Sequence, residues 1–409
     1  MNRLSVFIFL IAFAVRFSSV VRHAPRPDNV YESTRVAISL AEHGTFADPF
    51  IIPTGPTAHV APGFPLVLGL IFRVFGHGTQ GEIAKSFVNC SVSSLQFAFL
   101  PWIASVLGLS KSVGIGAGFF GALIPLQRYA ESASSWESSW AAFLLLLLTG
   151  FTRRQWRSGS FGMNESLEMG ALWGIALLFA PALASVYAGW LFVGAWLFRS
   201  KRFFRASLVS VSFSALLLLP WAYRNNVQLG SWIWFRDDLG LELRVSNQDF
   251  ATPRLKENLL NGSHEISHPH TSVAEAEQLR RLSEVEYNRR KLHEALGWIE
   301  DHRAHFAQLT AVRMVYFWFP WVGADWQRIL LGLVTALALT GLFFTWRVDA
   351  LSAKIVMVIW LVFPLVYYVI QFDRRYRHPV EWTLLLMGTF GIQALVSAMS
   401  TLLNHRRRV

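Results

Sequence analysis

Long apolar stretches joined by short polar links run through the chain, and about 20 consecutive apolar residues are what a helix needs to cross a bilayer. The clear stretches are Leu4–Val21, Phe87–Leu109, Val113–Leu126, Trp136–Phe151, Phe203–Trp221, Trp326–Trp346, Ile355–Ile370 and Trp382–Leu403. Two others are ambiguous: Leu167–Phe198 is too long for one span and carries Pro181 near its middle, and Pro62–Phe75 is short and proline-rich at its start. Loop charge decides both, because short cytoplasmic links accumulate Lys and Arg. The strongest basic links are 153–157, 199–205 and 405–408. Placing all three on one side makes Leu167–Phe198 a hairpin turning near Pro181. It also leaves Pro62–Phe75 as a short helix lying on, or dipping into, the outer face. The expected fold is an all-α polytopic membrane protein with about ten transmembrane helices, both termini cytoplasmic. Three parts follow: 1–222, a transmembrane module whose first outer loop is 22–81; 223–325, a mostly helical outer segment; and 326–409, the last spans. Leu4–Val21 is read as a span because Ser18-Ser19-Val20 makes a poor signal-peptide exit.

Composition agrees with the pattern. The chain is 53% hydrophobic and 15% charged, against about 25% charged for soluble domains, which excludes a disordered or ordinary cytosolic protein. The net charge of +11 would suggest nucleic acid in a polar chain, but here most of it marks the sidedness of spans. A single cysteine, Cys90, excludes an intramolecular disulfide.

The outer links carry the candidate chemistry. Asp28 stands a few residues past the first span, before a helix-like stretch that Gly44 would stop. It is either that helix's cap or a carboxylate at the membrane surface able to take a proton from a hydroxyl acceptor. Between Asp48 and Pro65, five prolines and two glycines enforce a stiff irregular loop, and its His59 is a candidate for binding phosphate or positioning a substrate. Glu131 and Glu137 occupy the next outer link; Glu137, opening a span, either faces a polar cavity or serves the helix dipole.

Arg374, Arg375 and Arg377 contradict the charge rule by lying outside. Phosphate at the membrane surface would explain them, since guanidinium binds phosphate oxygens in bidentate fashion; pairing with Asp373 is the alternative. In the large outer segment, the capping box Ser272-Val273-Ala274-Glu275 predicts a helix running to about Asp301. The tract His264-Glu265-Ile266-Ser267-His268-Pro269-His270 fits no standard zinc spacing and reads as a solvated loop. The aromatic run 316–321 suits a membrane–water boundary.

Taken together, Asp28 with Tyr31 and Gly44, the Pro62-Gly63-Phe64-Pro65 helix ending near Phe75-Gly76, Pro220-Trp221 with Arg224-Asn225, and Arg375-Tyr376-Arg377-His378-Pro379 resemble a known family. It is the polytopic glycosyltransferases that use a polyprenyl-phosphate-linked sugar, of GT-C type, including protein O-mannosyltransferases and lipid A aminoarabinose transferases. The motifs are short but fall in order along nearly the whole chain. The resemblance implies that Asp28 is the base activating the acceptor, that Glu137 is the second carboxylate with Glu131 as fallback, and that the arginine loop binds the lipid phosphate. Tyr31, His59 and Arg224 would position substrate. Asp28-Asn29 replaces the consecutive acids of many mannosyltransferases, so no cofactor follows and a divalent metal stays open.

The expected reaction is a single displacement with inversion. Arginines would stabilise the leaving phosphate while Asp28 deprotonates a hydroxyl of a protein, lipid or glycan acceptor. The expected location is a bacterial inner membrane with the site on the periplasmic side. The competing readings are a transporter or flippase of a lipid-linked anion and a non-catalytic scaffold. A transporter would carry inverted repeats and ionisable residues at the bilayer midplane, and neither is visible in the sequence.

Overall fold

The computed structural model describes residues 3–22, 31–126, 131–132, 136–320 and 325–406. These are mostly helical, with extended pairing limited to the isolated bridges Ala47–Pro56 and Arg254–Phe372. The first apolar stretch forms α1 (Arg3–Arg22). The first outer loop supplies α2 (Glu32–His43) and α3 (Gly63–Phe75). The next spans are α4 (Thr79–Ala98), α5 (Leu100–Val106), α6 (Lys111–Leu123), α7 (Ser138–Ser158), α8 (Met163–Phe179), α9 (Ala184–Phe198) and α10 (Lys201–Leu229). The outer segment holds α11 (Leu239–Ser246), α12 (Leu255–Leu260), α13 (Ser263–Ser267), α14 (Val273–Leu282), α15 (Glu284–Asp301) and α16 (Arg303–Trp318). The chain ends with α17 (Asp325–Val348), α18 (Ala350–Val362), α19 (Leu365–Val369) and α20 (His378–Arg406).

Each of the expected crossings is helical. Among the described residues seven helical stretches are long and apolar enough to cross a membrane: Arg3–Arg22, Thr79–Val106, Pro181–Phe198, Lys201–Leu229, Trp326–Val348, Ala350–Val369 and His378–Thr401. The remaining three expected crossings, α6, α7 and α8, are shorter or, in α7, end in the basic cluster Arg153, Arg154 and Arg157.

The stretch 167–198 is a hairpin. Trp173 of α8 stacks on Tyr187 of α9 at 4.3 Å and meets Trp190 edge-on at 5.6 Å, on either side of a turn at Pro181–Leu183. α10 then returns parallel to α8, with Gly170 against Ser210 and Gly174 against Leu217; side chains at these glycines would collide with α10. The basic links consequently meet at one end, where Trp156 touches Phe198 and Phe161 touches Phe203 at 5.2 Å.

At that same end Arg153 pairs with Asp349 and donates to Ser352 Oγ at 2.7 Å, while Asp349 caps α18 through the Leu351 and Ser352 amides. Gly108 turns there with φ +74°, its missing Cβ leaving room for the Asp349 carboxylate.

Opposite lies the first outer loop. α3 has 13 residues, about 20 Å of helix, which is too short for a hydrocarbon core of about 30 Å. Phe64, Leu68 and Phe72 pack beside Ala37 of α2, leaving Leu66, Leu70 and Val74 as an exposed apolar stripe. A short surface helix, as expected, is the result.

Two expectations are corrected. The helix from Ser272 is two helices broken at Ser283, whose φ of +76° interrupts the helical path. Ser272 does cap, accepting from the Glu275 amide at 3.3 Å, but Glu275 turns its carboxylate to Tyr287 and Lys291. The span ending at Trp221 instead continues through Pro220 to Leu229, carrying Arg224 beyond the membrane end of α10.

Candidate active site

α2 begins at Glu32, where an acidic side chain favours the helix dipole, and stops at Gly44, whose left-handed backbone lets its amide reach Leu40 O at 3.1 Å. The proline-rich loop beyond is shaped by side chains. Asp48 Oδ1 accepts from the Thr54 and Gly55 amides, and Arg224 donates to Thr57 O at 2.7 Å and Phe46 O at 2.6 Å. His59 follows this anchored stretch and lies buried against Phe50, ring centroids 4.8 Å apart.

The loop closes one side of a cavity of about 740 Å³ at the outer end of the helices. Ala180, Pro181, Val362, Leu365 and Val366 give it an apolar wall from the ends of spans. Glu32, Glu137, Asp238 and Glu242 bring carboxylates, Arg35, Arg236 and Arg375 bring cations, and His59, His264, His268 and His270 complete the polar wall. Trp136, Tyr367 and Tyr376 add aromatic faces. Such a cavity suits an amphipathic ligand with an apolar part and an anionic head.

The histidine tract is not a solvated loop: His264 and His268 are buried and their rings stack at 4.7 Å. The tract folds back onto α2, placing His270 3.5 Å from Glu32 and stacking it on Tyr31. Burial would raise the Glu32 carboxyl, but the charges of His270, His268 and His59 hold it below its ordinary value. His59 is lowered by burial, while His268, although buried, is raised by Glu242 and Glu32.

Glu32, His59 and His268 each offer a ligand atom within 4.8 Å of the others, a set suited to a divalent cation. Glu32 Oε2 and His59 Nδ1 have no hydrogen-bond partner among the described residues, which fits two ligands of such a site. His268 fits less well: its Nδ1 accepts from the His270 amide at 3.0 Å, which places its proton on Nε2, towards Glu242. A cation would have to release that contact.

The residues expected from sequence separate clearly. Asp28 lies outside the described residues, three positions before Tyr31, which lines the cavity. Tyr31, His59, Glu137 and Arg375 all reach the cavity. Glu131, the fallback carboxylate, is buried in an ion pair with Arg16 at 2.7 Å. Arg224 is committed to the loop carbonyls and to the faces of Phe46 and Trp221.

Only Arg375 of the three outer arginines lines the cavity, its guanidinium 3.8 Å from the Trp136 ring centroid. Arg374 donates to Leu126 O at 2.6 Å and to Gln327. Arg377 is fully buried, bonded to Phe317 O, Trp318 O and Thr335 and paired with Glu381 at 3.2 Å. Both guanidiniums bond to neighbouring helices and neither lines the cavity.

Sequence reasoning missed Glu32, Arg236, Asp238, Glu242 and the histidines of the tract as one cluster. The signal was thin: nothing local sets Glu32 apart, and His268 lies more than 200 positions from Glu32 and His59 in the chain.

No protein-family model and no curated protein matches the sequence. Solved structures do. The oligosaccharyltransferase of Archaeoglobus fulgidus in its apo form superposes with a TM-score of 0.58 at 13% identity, covering 99% of this chain. The archaeal enzyme in complex with an inhibitory peptide and a dolichol-phosphate gives 0.55 at 14%, again over 99%. The likeness is one of fold: the chain shares the helical membrane architecture of those proteins. This chain spans about half the length of those proteins, 51% of each.

Proposed function

We propose that the chain is a membrane glycosyltransferase that moves a sugar from a polyprenyl-phosphate-linked donor to a hydroxyl acceptor at the outer membrane–water interface. The observation that carries this reading is the cavity, which joins an apolar wall at the ends of spans to charged groups from the first outer loop and the arginine loop. The dolichol-phosphate bound by the archaeal enzyme of the same fold supports the choice of donor.

The lipid would leave the cavity along Val362, Leu365 and Val366, with its phosphate against Arg375. Asp28 takes the acceptor's proton as the acceptor oxygen attacks the anomeric carbon from the face opposite the phosphate. The bond from that carbon to the phosphate oxygen breaks, the sugar is transferred with inversion, and the polyprenyl phosphate departs carrying the electron pair. Arg375 stabilises the charge developing on the leaving group. Glu137 and Tyr31 border the sugar, and Glu32 orients it as a hydrogen-bond acceptor. Arg374, Arg377 and Arg224 serve by holding their loops. The catalytic first outer loop, 22–81, belongs to the module 1–222, and the segment 223–325 roofs the site. The protein sits in a bacterial inner membrane with this face periplasmic.

The test is transfer from purified undecaprenyl- and dolichyl-phosphate sugars by the full chain in lipid nanodiscs, with products identified by mass spectrometry. Wild type should yield glycosylated acceptor and free lipid phosphate, and Asp28→Asn should not. A wild type inert towards every such donor ends the glycosyltransferase reading; an unimpaired Asp28→Asn removes Asp28 as base.

A further inference from the structure

One buried acid of the outer segment has no place in the transfer described above. Glu284 opens α15, fully enclosed, and is directed at the first outer loop. Its Oε2 accepts from the Thr57 hydroxyl and its Oε1 from the Ala58 amide at 2.6 Å. The Thr57 hydroxyl in turn accepts from the His59 amide at 2.9 Å. Thus Glu284 reaches His59 through one intervening side chain. The same two residues are gripped from elsewhere, by Arg224 on Thr57 O and by the Asp237 amide on Ala58 O at 2.8 Å.

The residue before Glu284 is also unusual. Ser283 has φ +76° and ψ 156°, a region populated almost exclusively by glycine. Strain of this kind persists where surrounding contacts over-determine the backbone, and here it turns the chain so that Glu284 points at Thr57. Asn288, one turn on, locks the same helix through Asp237 O at 2.9 Å and the Leu241 amide at 3.3 Å.

We propose that Glu284 is a positioning residue: aimed by the strained Ser283, its carboxylate latches the Thr57–Ala58 peptide and thereby fixes His59 beside Glu32 and His268 in the cavity. The latch couples two segments more than 200 residues apart, so the outer segment sets the geometry of the loop that carries the site. The inference rests on that cavity being the functional site, but its test needs neither sugar transfer nor a bound cation.

Diethyl pyrocarbonate carbethoxylates accessible neutral imidazoles, and peptide mapping reads each histidine separately. In the full chain in nanodiscs with chelator present, Glu284→Ala should speed modification of His59 by about ten- to a hundredfold, the effect of two lost buried hydrogen bonds. His264, held in α13 away from the latch, should not change. Thr57→Val removes the hydroxyl that Glu284 holds while keeping the side-chain volume, and should reproduce the effect. The double variant should expose His59 no further than the stronger single variant. Ser283→Gly should keep His59 protected and raise the melting temperature.

His59 staying protected in both single variants overturns the latch. So does a parallel rise at His59 and His264, which makes Glu284 a general stabiliser, and so do multiplying effects in the double variant. A chain that shows the expected pattern but transfers no sugar refutes the functional reading alone.

Discussion

The two ends of the helical bundle use charge in opposite ways. At the basic end Arg153 meets Asp349 and Ser352, and Asp349 spends its other oxygen capping α18, so these charges join helices, with Arg153 Nη1 alone left buried without a hydrogen-bond partner among the described residues of that pairing. At the outer end Glu32 Oε2, His59 Nδ1 and His270 Nδ1 lack hydrogen-bond partners among the described residues, and all three residues line the cavity. Burying polar atoms without partners costs about 1–3 kcal/mol each, a cost a structural role does not explain and a ligand would relieve. What distinguishes the site from the brace is therefore where unspent hydrogen-bonding capacity gathers: at the outer end the three residues that carry it line one cavity. The arginine loop repeats the contrast within three residues: Arg377 bonds helix carbonyls and pairs with Glu381 away from the cavity, whereas Arg375 lies over Trp136 in it.

The contrast breaks most visibly at the catalytic step. Asp28→Asn should lower the rate of transfer by about 10²–10⁴-fold, the usual worth of a general base, with donor binding retained in a lipid-phosphate titration. Next, Arg375→Ala should cost about 10²–10³-fold in kcat with the melting temperature nearly unchanged. Arg377→Ala should do the reverse, losing stability by about 3–5 kcal/mol because it removes one partner of a buried ion pair and strands the Phe317 and Trp318 carbonyls. Equal behaviour of the two arginine variants in paired activity and melting assays would erase the distinction.

Asp349→Ala, at the basic end, should lower stability by about 1–3 kcal/mol by stranding Arg153 and uncapping α18, while the protein that remains folded keeps full specific activity. A selective loss of turnover there would move function to the wrong end.

A further test is a pH slope. Burial pushes the Glu284 carboxyl up to about 8 from 4.5, so the folded chain holds its proton more tightly than the unfolded one. Its contribution is complete below the unfolded value and disappears as pH rises through the folded one. Wild type should lose melting temperature relative to Glu284→Gln between about pH 5 and 8. Asp237, pushed up to about 7 by burial and by Asp238, contributes in the same sense and remains in the variant. Parallel melting curves across that range would show that Glu284 is ionised in the folded state.

Much of the framework was legible because hydrophobic periodicity and loop charge are local properties. The hairpin at Pro181, the surface helix from Gly63 and the shared end of links 153–157 and 199–205 followed from counting. The break at Ser283 was not legible: the apolar spacing continues through it, and the contacts that accompany the turn, Glu284 with Thr57 and Ala58 and Asn288 with Asp237 and Leu241, come from distant parts of the chain. Among site residues, the loop arginines were identifiable as a group, but which one faces the cavity depends on which carbonyls neighbouring helices present. The 264–270 tract misled for the same reason, since a proline-interrupted histidine run looks solvated until α2 is folded against it.

The sequence alone determined the all-helical membrane architecture and the end at which unusual charge collects, since both follow from how apolar and basic residues alternate along the chain. Only the tertiary structure decided which of those charges are free to act. Whether a buried group is satisfied depends on partners from distant helices, and that pairing brought Glu32, His59 and His268 together while removing Arg377 and Glu131 from the cavity.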